Sequence, residues 1–310
     1  MTTILKGKDI LRTDTLTDEE LDLILSTAAC FEEQLEGGER LETMAGQLMA
    51  AMFFEPSTRT RLSFEAAMHR LGGDVISVAD PKTSSAAKGE SMADAVSVVQ
   101  GYADVIVMRH PREGSAAEAA QAVSVPVING GDGAGQHPTQ ALLDVYTIKK
   151  EKGTLNGLTV ALAGDLKNGR TVHSLVYLLA RFEMRLILVS PMQLKMPTHI
   201  TQELVRQGVE VSETEDLAAA MRDSDVVYMT RIQKERFEDP AEYDRLKGAY
   251  VLEMAMVEHA KPGITIMHPL PRVNEIEEEV DGYAGAAYFR QAHNGVPVRM
   301  ALLALVTGRE

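Results

Sequence analysis

Gln47-Leu-Met-Ala-Ala-Met-Phe-Phe54, then Glu55-Pro56, then Ser57-Thr-Arg-Thr-Arg61: this run decides how the chain is read. The apolar residues read as a buried strand, Glu55-Pro56 as a turn, and Ser57 as the start of a helix whose first turn carries only hydroxyls and guanidinium groups. A helix start has unpaired N–H groups and a partial positive charge, so it favours an anion. Ser57, Thr58 and Thr60 add hydroxyl donors and Arg59 adds a forked cation, which together suit a phosphate. Taken alone, the same run also fits a helix capped by Ser57 with solvated arginines.

Outward from this run the pattern repeats. Strands are predicted at 48–54, 75–79, 104–108 and 125–128, with helices at 58–71, 91–102, 115–122 and 138–150 between or after them. Thr17-Asp-Glu-Glu20 is a capping-box pattern opening an earlier helix. Gly130-Gly-Asp-Gly-Ala-Gly135 reads as a glycine-rich loop, and Lys149-Lys-Glu-Lys-Gly153 as an exposed connector. Beyond it, strands are predicted at 158–163, 186–189, 209–211, 226–230, 250–252 and 264–267, with helices at 171–182, 198–207, 216–222 and 240–247. An apolar helix at 298–307 closes the chain and is expected to pack back on the first half. The expectation is an α/β protein of two doubly wound parallel-sheet domains with a substrate cleft between them.

The chain has 310 residues, 45% hydrophobic and 25% charged, enough for two domains with cores of their own. No stretch approaches the roughly 20 apolar residues of a membrane span, and the N-terminus lacks a signal-peptide pattern. Cys30 is the only cysteine, which excludes internal disulfides and cysteine metal clusters. A cytoplasmic location, with no membrane partner, is expected. Net charge is −14, which argues against nucleic-acid binding and makes any local concentration of cations informative.

Those cations fall at predicted strand ends, where open parallel sheets bind ligands. Arg59 follows the first strand, Arg109-His110 the third, and His137 the glycine run. Arg170 with Asp165 and Lys167, then Arg231 with Gln233, then His268-Pro-Leu-Pro-Arg272, follow strands of the second half. Such a set suits a substrate pair with several negative charges. A dehydrogenase is disfavoured because Gly164-Asp-Leu-Lys-Asn-Gly169 lacks the Gly-x-Gly-x-x-Gly spacing, and Walker A is missing too. No Gly-x-Ser-x-Gly elbow is present, and the histidines show no metal-binding pairing.

Ser57-Thr-Arg-Thr60, Gln136-His-Pro-Thr-Gln140, Gly164-Asp-Leu-Lys-x-Gly-Arg-Thr-Val-His-Ser174, Met229-Thr-Arg-Ile-Gln-Lys-Glu-Arg236 and His268-Pro-Leu-Pro-Arg272 resemble aspartate carbamoyltransferase catalytic chains in order and spacing. The resemblance runs from about residue 5 to residue 307. Ornithine carbamoyltransferases carry a cysteine at the position of Pro269, and this chain does not.

The resemblance implies transfer of a carbamoyl group from carbamoyl phosphate to the amine of L-aspartate, an early step of pyrimidine synthesis, without cofactor or metal. It implies a carbamoyl phosphate-binding domain of residues 1–140 plus 290–310, and an aspartate-binding domain of residues 150–289. Ser57, Thr58, Arg59 and Thr60 would hold the phosphate, and Arg109, His137 and Gln140 would reach the carbamoyl group. Arg170, Arg231 and Gln233 would bind aspartate, and the carbonyls of Leu270 and Pro271 would orient its amine. A loop of a neighbouring subunit would supply Ser84 and Lys88, which requires an oligomer, in this family a trimer. Many members carry a second lysine where this chain has Ala87. Regulatory chains or a dihydroorotase are possible further partners. The other functional readings are a carbamoyltransferase for a different amine, such as ornithine, and a catalytically silent scaffold.

Overall fold

The computed structural model describes residues 4–78, 89–233, 237, 239–246 and 248–309. Ser84, Ala87 and Lys88 lie outside the described residues. The chain divides into two units: residues up to Leu143 together with those from Asn294 onward, and Asp144–His293.

In the first unit the elements run α1 (Asp18–Glu36), β1 (Leu48–Phe53), α2 (Thr58–Arg70), β2 (Asp74–Val78), α3 (Met92–Val99), β3 (Val105–His110), α4 (Ser115–Ala122), β4 (Val127–Asp132) and the start of α5 (Pro138–Lys152). The Thr17–Glu20 capping box forms as predicted and opens α1. The sheet order is β2-β1-β3-β4, with every pair parallel. Because the chain steps from β1 to one side and returns on the other, the order reverses between β1 and β3. Ligands of such sheets bind at the carboxyl ends beside that reversal.

The second unit runs β5 (Leu158–Ala163), α6 (Arg170–Leu179), β6 (Met184–Val189), α7 (Thr198–Arg206), β7 (Glu210–Thr214), α8 (Leu217–Asp223), β8 (Val226–Met229), α9 (Pro240–Leu246), α10 (Met254–Glu258) and β9 (Thr265–Met267), then enters α11 (Tyr288–Thr307). The parallel sheet order is β7-β6-β5-β8-β9, so its reversal lies between β5 and β8.

Apolar patterning explains the strand positions. The inner strands β1, β5 and β8 are almost wholly buried, as strands covered on both faces must be. β2 and β7, at one edge of each sheet, carry the polar sequences Asp-Val-Ile-Ser-Val and Glu-Val-Ser-Glu-Thr and are largely exposed. Apolar clusters result, among them one around Ala50, Ile106 and Val127 and another around Ala161, Val227 and Ile266. Among the described residues no helix is long and apolar enough to cross a membrane.

Four features differ from the sequence expectation. β4 extends through the glycine run to Asp132. Its outer edge is covered by the N-terminal segment, since Ile10 donates to Val127 O and accepts from Asn129, each at 2.9 Å. The 250–252 segment makes only a bridge between Leu252 and Ile276, and the short helix α10 follows it. α11 begins ten residues before the predicted 298 and contains Pro297 within it. The basic run Lys149–Lys152 is the last turn of α5, where cations complement the helix dipole, rather than a connector.

Candidate functional site

In the first unit three neighbouring strand ends carry the phosphate-side candidates. After β1, Ser57 stands at the N-cap of α2 in extended conformation, yet its side chain makes no capping hydrogen bond. The hydroxyl is thus not used for the bland role that the sequence allowed it. The first turn of α2 holds no acid, in contrast to α1, which opens with Asp18, Glu19 and Glu20. Its positive end therefore remains uncompensated from within the turn. Thr58 and Arg59 are exposed and Thr60 is buried. Arg61 pairs along the helix with Glu65 at 3.6 Å, a structural role.

Arg109 lies opposite Phe53 in the parallel register and takes the next place in this group. Its Nη2 donates to Glu55 Oε1 at 2.9 Å and its Nη1 to Gly130 O at 3.2 Å. The register between β3 and β4 slips between Met108 and His110, where Gly130 and Gly131 give β4 an extra residue. Such a bulge re-aims a side chain. A Cβ on Gly130 would stand 3.2 Å from Met108 O, 3.6 Å from Thr60 Cγ2 and 3.7 Å from Arg109 Cβ. The close packing at Gly130 thus joins the α2 start to the end of β3.

His137 sits just before α5 and is 4% exposed, with its carbonyl receiving the N–H groups of Gln140 and Ala141. Gln140 is also buried. The turn leading to His137 is tied by Asp132, a residue that sequence reasoning passed over. Its Oδ1 accepts from Gln136 N at 2.8 Å and Asn129 Nδ2 at 3.1 Å, and its Oδ2 from Gly114 N at 2.9 Å. His110 accepts the Arg112 N–H at Nδ1, and burial pushes its pKa down. His69 contacts Gly73 O at 3.2 Å, near the end of α2. Both are explained by local structure.

In the second unit the candidates again share adjacent strand ends. Arg170 opens α6 after β5, Arg231 and Gln233 follow β8, and Leu270 with Pro271 follow β9. Gly164 has φ +117°, and a Cβ there would fall 2.2 Å from Thr230 O. Only glycine permits β5 and β8 to end this close together. Asp165 is buried and is satisfied by Asn168, whose N–H donates at 3.0 Å and whose side chain donates to both oxygens at 3.1 Å, not by a pair with Lys167. Gln233 Nε2 reaches Asn168 O at 3.2 Å, so the β8 end lies over the turn that leads to Arg170. His173, in the first turn of α6, reaches back to Leu166 O in that loop at 2.8 Å, and burial pushes its pKa down.

The Leu270–Pro271 bond is cis, and Leu270 has φ +55°. His268 and Glu275 are both buried and hydrogen bond to each other at 2.7 Å. Burial raises the Glu275 carboxyl, but the His268 ring and the Val273 and Asn274 amides outweigh it and hold the group below the usual carboxylate range. Arg272, counted among the strand-end cations, is committed elsewhere. Its Nη2 donates to Asp281 at 2.6 Å, its Nη1 to the Tyr288 hydroxyl at 3.2 Å, and it lies over the Tyr288 ring. Glu275 had no signal in the sequence, because it meets His268 across an irregular turn that no helix or strand pattern announces.

Residues 8–150 match the family model for the carbamoyl-P binding domain of aspartate/ornithine carbamoyltransferase, and residues 156–306 match that for its Asp/Orn binding domain. The aspartate carbamoyltransferase catalytic subunit of Thermococcus onnurineus is 52% identical over 303 residues, covering 98% of both chains. That of Methanopyrus kandleri is 54% identical, covering 97% of this chain and 98% of its own. The crystallised catalytic subunit of M. jannaschii aspartate transcarbamoylase superposes with a TM-score of 0.90 at 50% identity, over 96% of this chain and 97% of that one. The Trypanosoma cruzi aspartate transcarbamoylase in complex with carbamoyl phosphate and aspartate gives 0.93 at 41% identity, over 98% of each. With both halves matched in order and nearly every residue covered, the chain belongs to the aspartate/ornithine carbamoyltransferase family.

Proposed function

We infer that this chain is the catalytic subunit of an aspartate carbamoyltransferase, making N-carbamoyl-L-aspartate and phosphate from carbamoyl phosphate and L-aspartate. Relatives of that name align over 98% of the chain, and solved relatives hold carbamoyl phosphate and aspartate. The single observation that carries the reading is the gathering of Thr60, Arg109 and Gly130 beside the uncompensated start of α2.

We propose the following roles. Ser57, Thr58, Arg59 and Thr60 hold the phosphate, with the α2 amides. Arg109, His137 and Gln140 bind the carbamoyl group. Arg170, Arg231 and Gln233 bind the two carboxylates of aspartate, and the carbonyls of Leu270 and Pro271 receive hydrogen bonds from its amine. In the reaction an N–C bond forms at the carbonyl carbon and the C–O bond to phosphate breaks. Negative charge grows on the carbonyl oxygen and on the leaving oxygen, where Arg59, Thr60, Arg109 and His137 supply donors. The departing phosphate takes the amine proton, so no side chain is assigned as general base. Holding two anions in reacting geometry is the larger task, and fixed cations perform it.

The same reading places the activity in pyrimidine synthesis, in the cytoplasm, in a homotrimer. Ser84 and Lys88 of a neighbouring copy complete each site, and regulatory chains are natural partners because the relatives are called catalytic subunits. The deciding experiment is a colorimetric assay for carbamoyl aspartate with purified protein, carbamoyl phosphate and L-aspartate and nothing added. Ornithine should not replace aspartate. Product from ornithine but not aspartate overturns the substrate assignment, and no product from either overturns the enzyme reading. Mixing inactive Arg59→Ala and Lys88→Ala proteins tests the shared site: hybrids that regain no activity remove Lys88 from the neighbour's role.

A further inference from the structure

The turn after β9 is tied in a way that the roles above do not use. His268 Nδ1 accepts the N–H of Leu270 at 2.8 Å, so that nitrogen carries no proton and Nε2 carries it instead. Nε2–H then donates to Glu275 Oε1 at 2.7 Å. The other oxygen of Glu275 accepts the N–H groups of Val273 and Asn274, each at 3.0 Å. The main-chain N–H of His268 is held by Gln291 Oε1 at 2.8 Å, and Gln291 in turn donates to the buried Asp144 at 2.6 Å. These bonds surround Leu270, the only non-glycine residue at positive φ among the described residues. A left-handed leucine is unfavourable and persists only where its surroundings hold it.

We propose that Glu275 is a positioning residue: acting through His268, it fixes Leu270 in the left-handed conformation and so aims the Leu270 and Pro271 carbonyls at the amine of aspartate. This rests on the reading in which those carbonyls receive that amine. Glu275 suits the task because it meets three donors with an acceptor-only group. Glu275→Gln keeps its shape but turns one acceptor into a donor, which must face either the His268 ring or the backbone amides.

The test uses aspartate and succinate, the same dicarboxylate without the amine. In Glu275→Gln, kcat for carbamoyl aspartate should fall about tenfold or more, since misplacing a reacting group costs rate. The succinate inhibition constant, measured with carbamoyl phosphate present, should stay within about threefold of wild type, because no amine is involved. His268→Asn keeps an acceptor for Leu270 N–H but loses the ring nitrogen that meets Glu275, and should lose kcat in the same selective way. It serves as the reading if Glu275→Gln does not fold. The double variant should be no slower than the slower single one, as expected for residues acting in series. A kcat within about twofold of wild type, a succinate constant that rises in proportion to the loss of kcat, or multiplying losses in the double variant overturns the proposal. Wild-type protein that makes no carbamoyl aspartate overturns the functional reading itself, and the proposal with it.

Discussion

Arg109 donates through Nη2 to Glu55 Oε1 at 2.9 Å, joining the ends of two neighbouring strands of one sheet. The arginine side chain is only 11% exposed, while Glu55 keeps 28%. Glu55 thus holds the guanidinium in place at little desolvation cost to itself. Arg109→Ala should lower kcat/KM for carbamoyl phosphate on the order of a hundredfold or more, the usual effect of removing a transition-state donor. The melting temperature should barely move, because the abandoned carboxylate stays in contact with water. Steady-state kinetics at saturating aspartate, beside a thermal melt, checks both. Near-normal kinetics removes Arg109 from the site.

Asp132 takes three donors, two from its own strand and the turn after it and one from Gly114 at the start of α4, so its removal should act on both fold and site. Asp132→Asn replaces one acceptor by a donor facing a donor. That should cost roughly 2 kcal/mol in urea unfolding, the range for an unsatisfied buried group. The KM for carbamoyl phosphate should rise as well, since the turn that presents His137 loses its tie. Full stability together with an unchanged KM counts against this role.

His173 gives a pH dependence whose sign follows from burial. Its folded pKa lies below the ordinary 6.5, because burial disfavours the charged ring. The unfolded chain therefore binds more protons as pH falls. The stability that His173 contributes is fully present above about pH 6.5 and is lost below it. His110 is shifted the same way and adds to the trend. Urea midpoints should fall between about pH 7.5 and 5.5, and less steeply in His173→Gln. Parallel curves for the two proteins contradict the assignment.

Much of this was legible in the sequence because parallel strands buried on both faces leave continuous apolar runs. The strand at 158–163 forms where it was expected, and so does the helix at 115–122 that covers the sheet of the first unit. The candidate cations were legible for a related reason: polar residues after an apolar run mark the carboxyl ends of strands. Side-chain commitments were hidden. Arg272 has the same sequence signature as Arg231, yet Asp281 and Tyr288 take its donors. Glu55 meets Arg109, and Asp132 meets Gly114, only through folding, while Glu275 meets His268 across an irregular turn, so no regular spacing reveals them. The glycine run misled because its small residues suit a loop equally well as a bulged edge strand, and only the cover from Ile10 decides for the strand.

Gly164 offers the sharpest test of how the second unit is built. Its φ of +117° is open to glycine alone, and any Cβ would collide with Thr230, whose carbonyl would be 2.2 Å away and hydroxyl 2.6 Å away. Thr230 cannot retreat cheaply, because its N–H and hydroxyl both bind Ala163 O, at 2.8 and 3.1 Å. Gly164→Ala must therefore part the ends of β5 and β8. Those ends lead directly to Arg170 on one side and to Arg231 and Gln233 on the other. The variant should lose about 3 kcal/mol or more of stability, from strain and collision together. If it folds, the KM for aspartate should rise far more than that for carbamoyl phosphate, whose proposed binders belong to the other unit. Equal rises in both constants would mean that the strand ends around Gly164 do not set the aspartate side at all.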